Sequence, residues 1–241
     1  METAGRMNAA LGIMCKAPRP GRTKTRLAAH LGPAQAAQLS ACFLRDVADA
    51  VLAVPETLGR QGYGVYAPAG SEAELAAILP PAFRLVLQEG ADFGVVLSTT
   101  VQRLLEHSHD CVVLINSDSP TLPAALLTAA VTALRRPGDR VVLGPAIDGG
   151  YTLIGLKRHH PALFTDIPWS TGDVLRLTRA RAVDGGLEVA MLPLWYDIDD
   201  AETLGLLQAE IAGTPPAFAT PGIVGGPAAA TRALLTQWSE A

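Results

Sequence analysis

The chain has 241 residues, of which 49% are hydrophobic and 17% charged, with a formal net charge of −4 at pH 7. That is enough apolar material for one large domain with a sizeable core, and the acidic balance argues against nucleic acid as the main partner. Cys15, Cys42 and Cys111 lack metal-ligand spacing and sit among apolar residues, so reduced core thiols are expected rather than a disulfide framework. Neither a secretory signal nor an apolar span of about 20 residues is visible, which points to a cytoplasmic protein without a membrane span.

Residues 9–15 form a short apolar run closed by Pro18, Pro20 and Gly21, which predicts a buried strand followed by a loop. The pattern over 23–54 is helical and Ala/Leu-rich, restarting at Gly32-Pro33, with Asp46 and Asp49 on its polar side. Strands are predicted over 62–67 and 83–87, with a short helix between them at 72–79. A turn at 90–94 leads into a helix reaching about 107. The segment "CVVLIN", 111–116, is apolar on both faces, as a parallel strand covered by helices on each side tends to be. A helix over 122–134 follows, with Ser119 as its cap and Pro120 at its first position. Strands at 140–143 and 151–155 flank "GPAIDGG"; then come a helix at 171–181, a strand at 188–192 and a helix at 201–211. Alternating strands and helices predict a three-layer α/β/α sandwich around a mainly parallel twisted sheet. The domain spans 1–212, followed by a Pro/Gly-rich linker at 213–227 and a C-terminal helix within 228–241.

In such sheets ligands bind outside the carboxyl ends of the strands, and the unusual residues cluster there. The loop "CKAPRPGRTKTRL" carries Lys16, Arg19, Arg22, Lys24 and Arg26 around Gly21. It lacks the glycines and GK[ST] of a phosphate-binding P-loop, so it is either a cationic grip on a diphosphate, aided by a helix N-terminus, or a solvated basic turn. In "NSDSPTLP", Asp118 is not needed as a cap and is a candidate hard ligand for Mg²⁺ or Mn²⁺. "WYDIDDAETL" offers Asp197 and Asp199 on one face of an extended segment, with Asp200 capping the next helix; the plain alternative is an acidic turn. "AIDGGY" places Asp148, Gly149, Gly150 and Tyr151 either at a close backbone approach or in an ordinary DG hairpin turn. Trp169 in "DIPWST" is a lid or stacking surface, or an anchor of its loop. The five histidines show no zinc spacing.

The order "KxPxPGxxKTRL … SDSPTLP … GPAxDGGYxLIGL … IPWST … DIDxxxxL" resembles a bacterial family of GT-A-superfamily transferases. Members are described as uncharacterised glycosyltransferases, some associated with radical-SAM proteins. The likeness runs from about Leu11 to Leu207, and phospholactate and molybdopterin guanylyltransferases are more distantly similar. It implies the GT-A, nucleotide-diphospho-sugar transferase type of fold. Lys16, Arg19, Gly21, Lys24, Arg26 and Gln88 are then expected to hold nucleotide phosphates. Asp118 matches the metal-binding aspartate after the central strand, and one of Asp197 and Asp199 the second acid. Two blocks depart from the family pattern: "GADFGVVL" replaces one resembling "GDDLGERM", and Asn116 replaces the usual glycine before "SDSP".

The expected function is a metal-dependent glycosyltransferase moving a sugar from a nucleoside-diphosphate sugar to a small-molecule acceptor. Asp148 would orient or deprotonate the acceptor hydroxyl with Tyr151 nearby, and Gly149, Gly150 and Trp169 would form the acceptor side or lid. The alternatives are a nucleotidyltransferase that releases pyrophosphate and a nucleotide-binding module without catalysis.

Overall fold

The structure, a computed structural model, describes residues 8–240. The reading of the first seven residues as a lead into the first strand, with no secretory signal, lies outside the described residues. Seven strands form one sheet: β1 (Ala9–Lys16), β2 (Arg60–Ala67), β3 (Arg84–Leu87), β4 (Cys111–Asn116), β5 (Arg140–Pro145), β6 (Tyr151–Leu156) and β7 (Glu188–Met191). Their spatial order is β3-β2-β1-β4-β6-β5-β7. β6 pairs antiparallel with both β4 and β5, while the other pairings are parallel. The glycine-rich stretch after β5 therefore does form a hairpin, and it inserts β6 between two strands that run the same way.

Strand alternation assigns the helices to layers. Leu11, Ile13, Val113 and Ile115 pack into one cluster with α1 (Thr25–Leu31), α2 (Pro33–Leu52), α3 (Glu72–Ala76), α5 (Ala124–Arg135), α7 (Ala201–Ile211) and α8 (Ala229–Glu240). Ala10, Val112 and Leu114 face the other way, against α4 (Phe93–Glu106) and α6 (Val174–Asp184). This is an α/β/α sandwich with a mixed, mainly parallel sheet. Among the described residues no helix is long and apolar enough to cross a membrane.

Two local expectations are corrected. Asp46 is not on the polar side of α2 but buried, because its carboxylate accepts from the backbone N–H groups of Ala230 and Thr231, at 2.8 and 2.9 Å. An internal carboxylate thus caps the terminal helix from another element. Ser119-Pro120 does not start α5, which begins four residues after Pro120 with Pro123 at its cap; the intervening turn is closed by Leu122 N–H to Ser119 C=O, 2.9 Å. Residues 213–227 contain no helix or strand. They lie along the core, with the Phe218 ring meeting Tyr196 and Trp195 at 5.6 and 6.4 Å and Gly226 N–H donating to Thr121 C=O.

The carboxyl ends of β1 and β4 finish side by side, and that of β5 lies at the same edge of the sheet beyond the antiparallel β6. The loops that leave them supply most of the residues singled out by the sequence.

Candidate active site

The loop after β1 turns back through Gly21, at φ 72°, and enters α1 through Lys24, whose backbone is left-handed at φ 49°, ψ 49°. A non-glycine residue pays a conformational cost there, and such costs persist where surrounding contacts over-determine the residue. The contacts are plain. The Lys24 side chain is 5% exposed, and its ammonium lies 2.6 Å from the Ile198 carbonyl and 2.9 Å from both Asp118 and Asp199. Burial works against the charge, but the attraction of the two carboxylates and their hydrogen bonds outweighs it, so the Lys24 pKa is raised.

Backbone pairing draws the distant acids together. Ile198 N–H donates to Asp118 C=O at 2.9 Å, and Ile147 N–H donates to Trp195 C=O at 3.2 Å. The segment 195–199 is thereby stitched both to the loop after β4 and to the loop before β6. A capping box then fixes its exit: the Asp200 carboxylate accepts from Thr203 N–H, and the Thr203 hydroxyl accepts from Asp199 and Asp200 N–H. Asp118, Asp148, Asp197 and Asp199 all line one cleft of about 450 Å³. Burial, then the charges of Asp148, Asp199 and Asp118, push Asp197 up to about 7. Next to this cleft, and sharing Asn116, Asp118 and Asp199 with it, lies a cavity of about 550 Å³ beneath the basic loop, lined by Lys16, Arg22, Lys24 and Arg26.

The loop that carries Trp169 is held to the DG turn by a backbone interlock. Gly149 sits at φ 87°, and a Cβ there would collide with the Gly172 carbonyl oxygen; its own carbonyl accepts from Leu175 N–H at 2.9 Å. The DG turn is therefore both a hairpin and a close approach. Asp148 accepts from Gly150 N–H at 2.8 Å, which orients its carboxylate at the cleft rim. In the lid loop, Trp169 meets Phe93 edge to face at 5.2 Å and Tyr151 at 6.5 Å. A Cβ on Gly94 would lie 2.9 Å from the Trp169 indole nitrogen, so glycine at that position lets α4 carry the indole.

Of the expected site residues, Lys16, Lys24, Arg26, Asp118, Asp148, Gly150, Tyr151, Trp169, Asp197 and Asp199 line these two cavities, and Gly149 supports the lid. Four of the expected residues are placed differently. Arg19 turns outward into an ion pair with Glu74, 2.6 Å, and a hydrogen bond to Ser71, while Gly21 faces open space. Gln88 borders the basic cavity, but its amide N–H groups donate to the Cys15 and Val65 carbonyls, so it splints β1 to β2. The Tyr151 hydroxyl is buried, and burial pushes its pKa well above the ordinary range; its ring, not its hydroxyl, is what it offers the cleft. Phe93 and Asn116 border both cavities without having been singled out as site residues. Asn116 stands where the chain departs from the pattern it resembles, and Phe93 lies in the block whose charged pair is replaced by Val95 and Val96; those departures were the available signal. The buried Asn116 Oδ1 has no protein hydrogen-bond partner.

The donors are hard oxygens suited to Mg²⁺ or Mn²⁺. Among the described residues no three His, Cys, Asp or Glu side chains close into a metal cage. Asp118 and Asp199 instead converge on one cation, the Lys24 ammonium. An open carboxylate set fits a Mg²⁺ held by one or two carboxylates and completed by phosphate oxygens and water.

Comparison with known proteins gives a consistent frame. Among solved structures, a Desulfovibrio desulfuricans G20 protein assigned to the nucleotide-diphospho-sugar transferases superposes with TM-score 0.81 at 29% identity, over 97% of this chain and 96% of that one. A cytidylyltransferase from Leptospira borgpetersenii serovar Hardjo-bovis matches with TM-score 0.55 at 9% identity, over 97% and 96%. Glucosyl-3-phosphoglycerate synthase from Mycobacterium tuberculosis, solved with Mn²⁺, UDP and glucosyl-3-phosphoglycerate, matches with TM-score 0.50 at 15% identity, over 88% and 79%. The last two likenesses show the fold. No curated protein matches the chain. The model of the family described as "Uncharacterized protein conserved in bacteria (DUF2064)" matches residues 39–171, more than half of the chain, and the protein belongs to that family.

Proposed function

We propose that this protein is a transferase using a nucleotide-activated donor, and that it moves a sugar from a nucleoside-diphosphate sugar to a small hydroxyl-bearing acceptor. The observation that carries this reading is the junction of a cationic cavity and an acidic cleft at the carboxyl edge of the sheet, with Lys24 bonded to Asp118 and Asp199 between them. A diphosphate in the basic cavity would receive charge-assisted hydrogen bonds from Lys16 and Arg26, while Lys24, whose three N–H groups go to Ile198, Asp118 and Asp199, would add positive charge beneath it. Asp118, with Asp197 or Asp199, would hold a divalent cation, which neutralises charge on a leaving diphosphate when bound.

In the transfer, the bond between the anomeric carbon and the diphosphate oxygen breaks while a bond from the acceptor oxygen forms. The acceptor hydroxyl proton passes to a base at the cleft. Asp148 is the residue proposed for that position, oriented by Gly150 N–H; general-base help of this type contributes about 10²–10⁴-fold.

The test is incubation of the full chain with UDP-, GDP-, ADP- and CDP-sugars and with the four NTPs, with and without Mg²⁺ or Mn²⁺. Free nucleoside diphosphate formed from a sugar donor supports the reading. Pyrophosphate formed from an NTP replaces it with nucleotidyl transfer. Nucleotide-dependent thermal stabilisation without turnover of any donor replaces it with a binding module.

A further inference from the structure

The two adjoining cavities differ sharply in charge. The one beneath the loop after β1 sets Lys16, Arg22, Lys24 and Arg26 against Asp118 and Asp199. The neighbouring cleft holds Asp118, Asp148, Asp197 and Asp199, with Arg26 as the one cation lining it among the described residues. Asp148 and Asp197 belong to the cleft alone, on the side away from the basic loop. A phosphate or carboxylate entering that side would face the Asp148 carboxylate in a cleft whose charged lining is mostly aspartate, and like charges brought together in a partly desolvated site are mutually repelled.

The opposite wall of the cleft is aromatic. Phe93 is 46% exposed at the first turn of α4 and stands edge to face with Trp169, which stands edge to face with Tyr151. The rings are held in place: Asp92 caps α4 by accepting from Val95 N–H at 2.9 Å, and the space over Gly94 is shared by the Phe164 carbonyl and the Trp169 indole. An apolar wall opposite a few convergent polar groups is the usual make-up of a small-molecule pocket. Carboxylates accept only from donors, so hydroxyl or ammonium groups satisfy them, while aromatic faces take a flat apolar surface.

We propose that this cleft selects an acceptor without negative charge at its reacting end: a hydroxyl-bearing molecule with a flat apolar face, laid against Phe93 and Trp169 with its hydroxyls toward Asp148 and Asp197. The inference rests on the donor reading above and deepens it. Phe93 becomes a residue that decides acceptor choice. An acidic acceptor side also separates the two transfer chemistries, because nucleotidyl transfer to a phosphorylated acceptor would require a phosphate among these aspartates.

Two probes sharing one aryl group test the proposal: 4-nitrophenyl β-D-glucopyranoside and 4-nitrophenyl phosphate. Their affinities are measured by ligand-observed NMR on the full chain, alone and with the nucleoside diphosphate that raises Tm most. The expected result is that the glucoside binds more tightly than the phosphate ester. Phe93→Ala and Trp169→Ala should each weaken glucoside binding about three- to tenfold, the value of an aromatic contact. Phe93→Leu and Trp169→Phe guard against a folding defect and should give intermediate losses. Tighter binding of the phosphate ester, absence of glucoside binding, or equal glucoside affinity in every variant overturns the inference. With the nucleotide-induced rise intact, any of these leaves the donor reading standing. Glucoside binding in a protein that no nucleotide stabilises overturns the donor reading instead.

Discussion

The Lys24 ammonium lies 2.9 Å from a carboxylate oxygen of Asp118 and 2.9 Å from one of Asp199, joining three chain segments at a single charge. The left-handed backbone of Lys24 makes this contact possible, since it turns the side chain inward beneath the loop instead of along the outer face of α1. In Lys24→Met the carboxylates lose their buried counter-charge and the basic cavity loses its most enclosed cation. Nucleoside diphosphate affinity should fall about 10-fold or more, because two carboxylates beside the phosphate site are left without their counter-charge, a loss of about 1.5–3 kcal/mol. Isothermal titration checks this, and an unchanged affinity would remove Lys24 from the phosphate site.

Asp118→Asn keeps the size of the side chain and removes the hard anionic donor. The Mg²⁺- or Mn²⁺-dependent part of the nucleotide-induced Tm rise should disappear, while the part seen in EDTA persists. A ligand that binds only the folded state stabilises it by about 2.7 kcal/mol at 100 times its Kd, so the missing part is readable by calorimetry. Retention of the full cation-dependent shift would assign the cation elsewhere.

Gly149→Ala forces a Cβ into the Gly172 carbonyl at a backbone position that already favours glycine. The strain, about 1–3 kcal/mol, should appear as a lower urea midpoint. The interlock between the DG turn and the lid also opens, so Trp169 becomes more accessible to acrylamide quenching. A variant with unaltered midpoint and quenching would show that the interlock is slack.

Asp46→Ala removes the carboxylate that caps α8. The loss should be about 1–2 kcal/mol, as for other helix N-caps, and limited proteolysis should cut near residues 226–230 before any site in the sheet. Ala228, at φ 44°, marks the same junction. First cleavage within the lid loop would contradict the assignment.

Arg140 is 2% exposed and bonds three carbonyls at the end of α5 together with Glu188, 2.8 Å away. The hydrogen bond and then the charge of Arg140 hold Glu188 below its ordinary pKa. A depressed carboxylate contributes stability that is present above its unfolded value, about 4.3, and is lost as pH falls through the folded value. Wild type should therefore exceed Glu188→Gln in Tm at pH 7, with the gap closing below about pH 4.3. A gap independent of pH would mean that the pair acts through packing alone.

Elements with a strong local pattern were legible before the fold was seen. "CVVLIN" was recognisable as a central strand because it is apolar on both faces, and Asp200 as a cap because the capping chemistry lies within four residues. The hairpin at Asp148–Gly150 was legible too, though not its second use against Gly172. The basic loop announced an anion but not which of its cations face it: Arg19 is captured by Glu74 and Ser71 on α3 and its approach, a contact 55 residues away in the chain. Gln88 is engaged for a similar reason, since its amide goes to the Cys15 and Val65 carbonyls that the packing leaves closest.

The sequence by itself determined the class of fold, the sheet edge at which chemistry-bearing residues gather, and the kinds of group present there, because periodicity, turn chemistry and residue type act over a few neighbours. Only the tertiary structure decided which charges meet. Lys24 lies between acids 94 and 175 residues further on, Asp197 is crowded by Asp148, Asp199 and Asp118, and Phe93 meets Trp169, 76 residues along the chain, on one wall of the cleft. Electrostatic and aromatic contacts depend on separations of a few ångströms in space, and those separations are set by the order and register of seven strands.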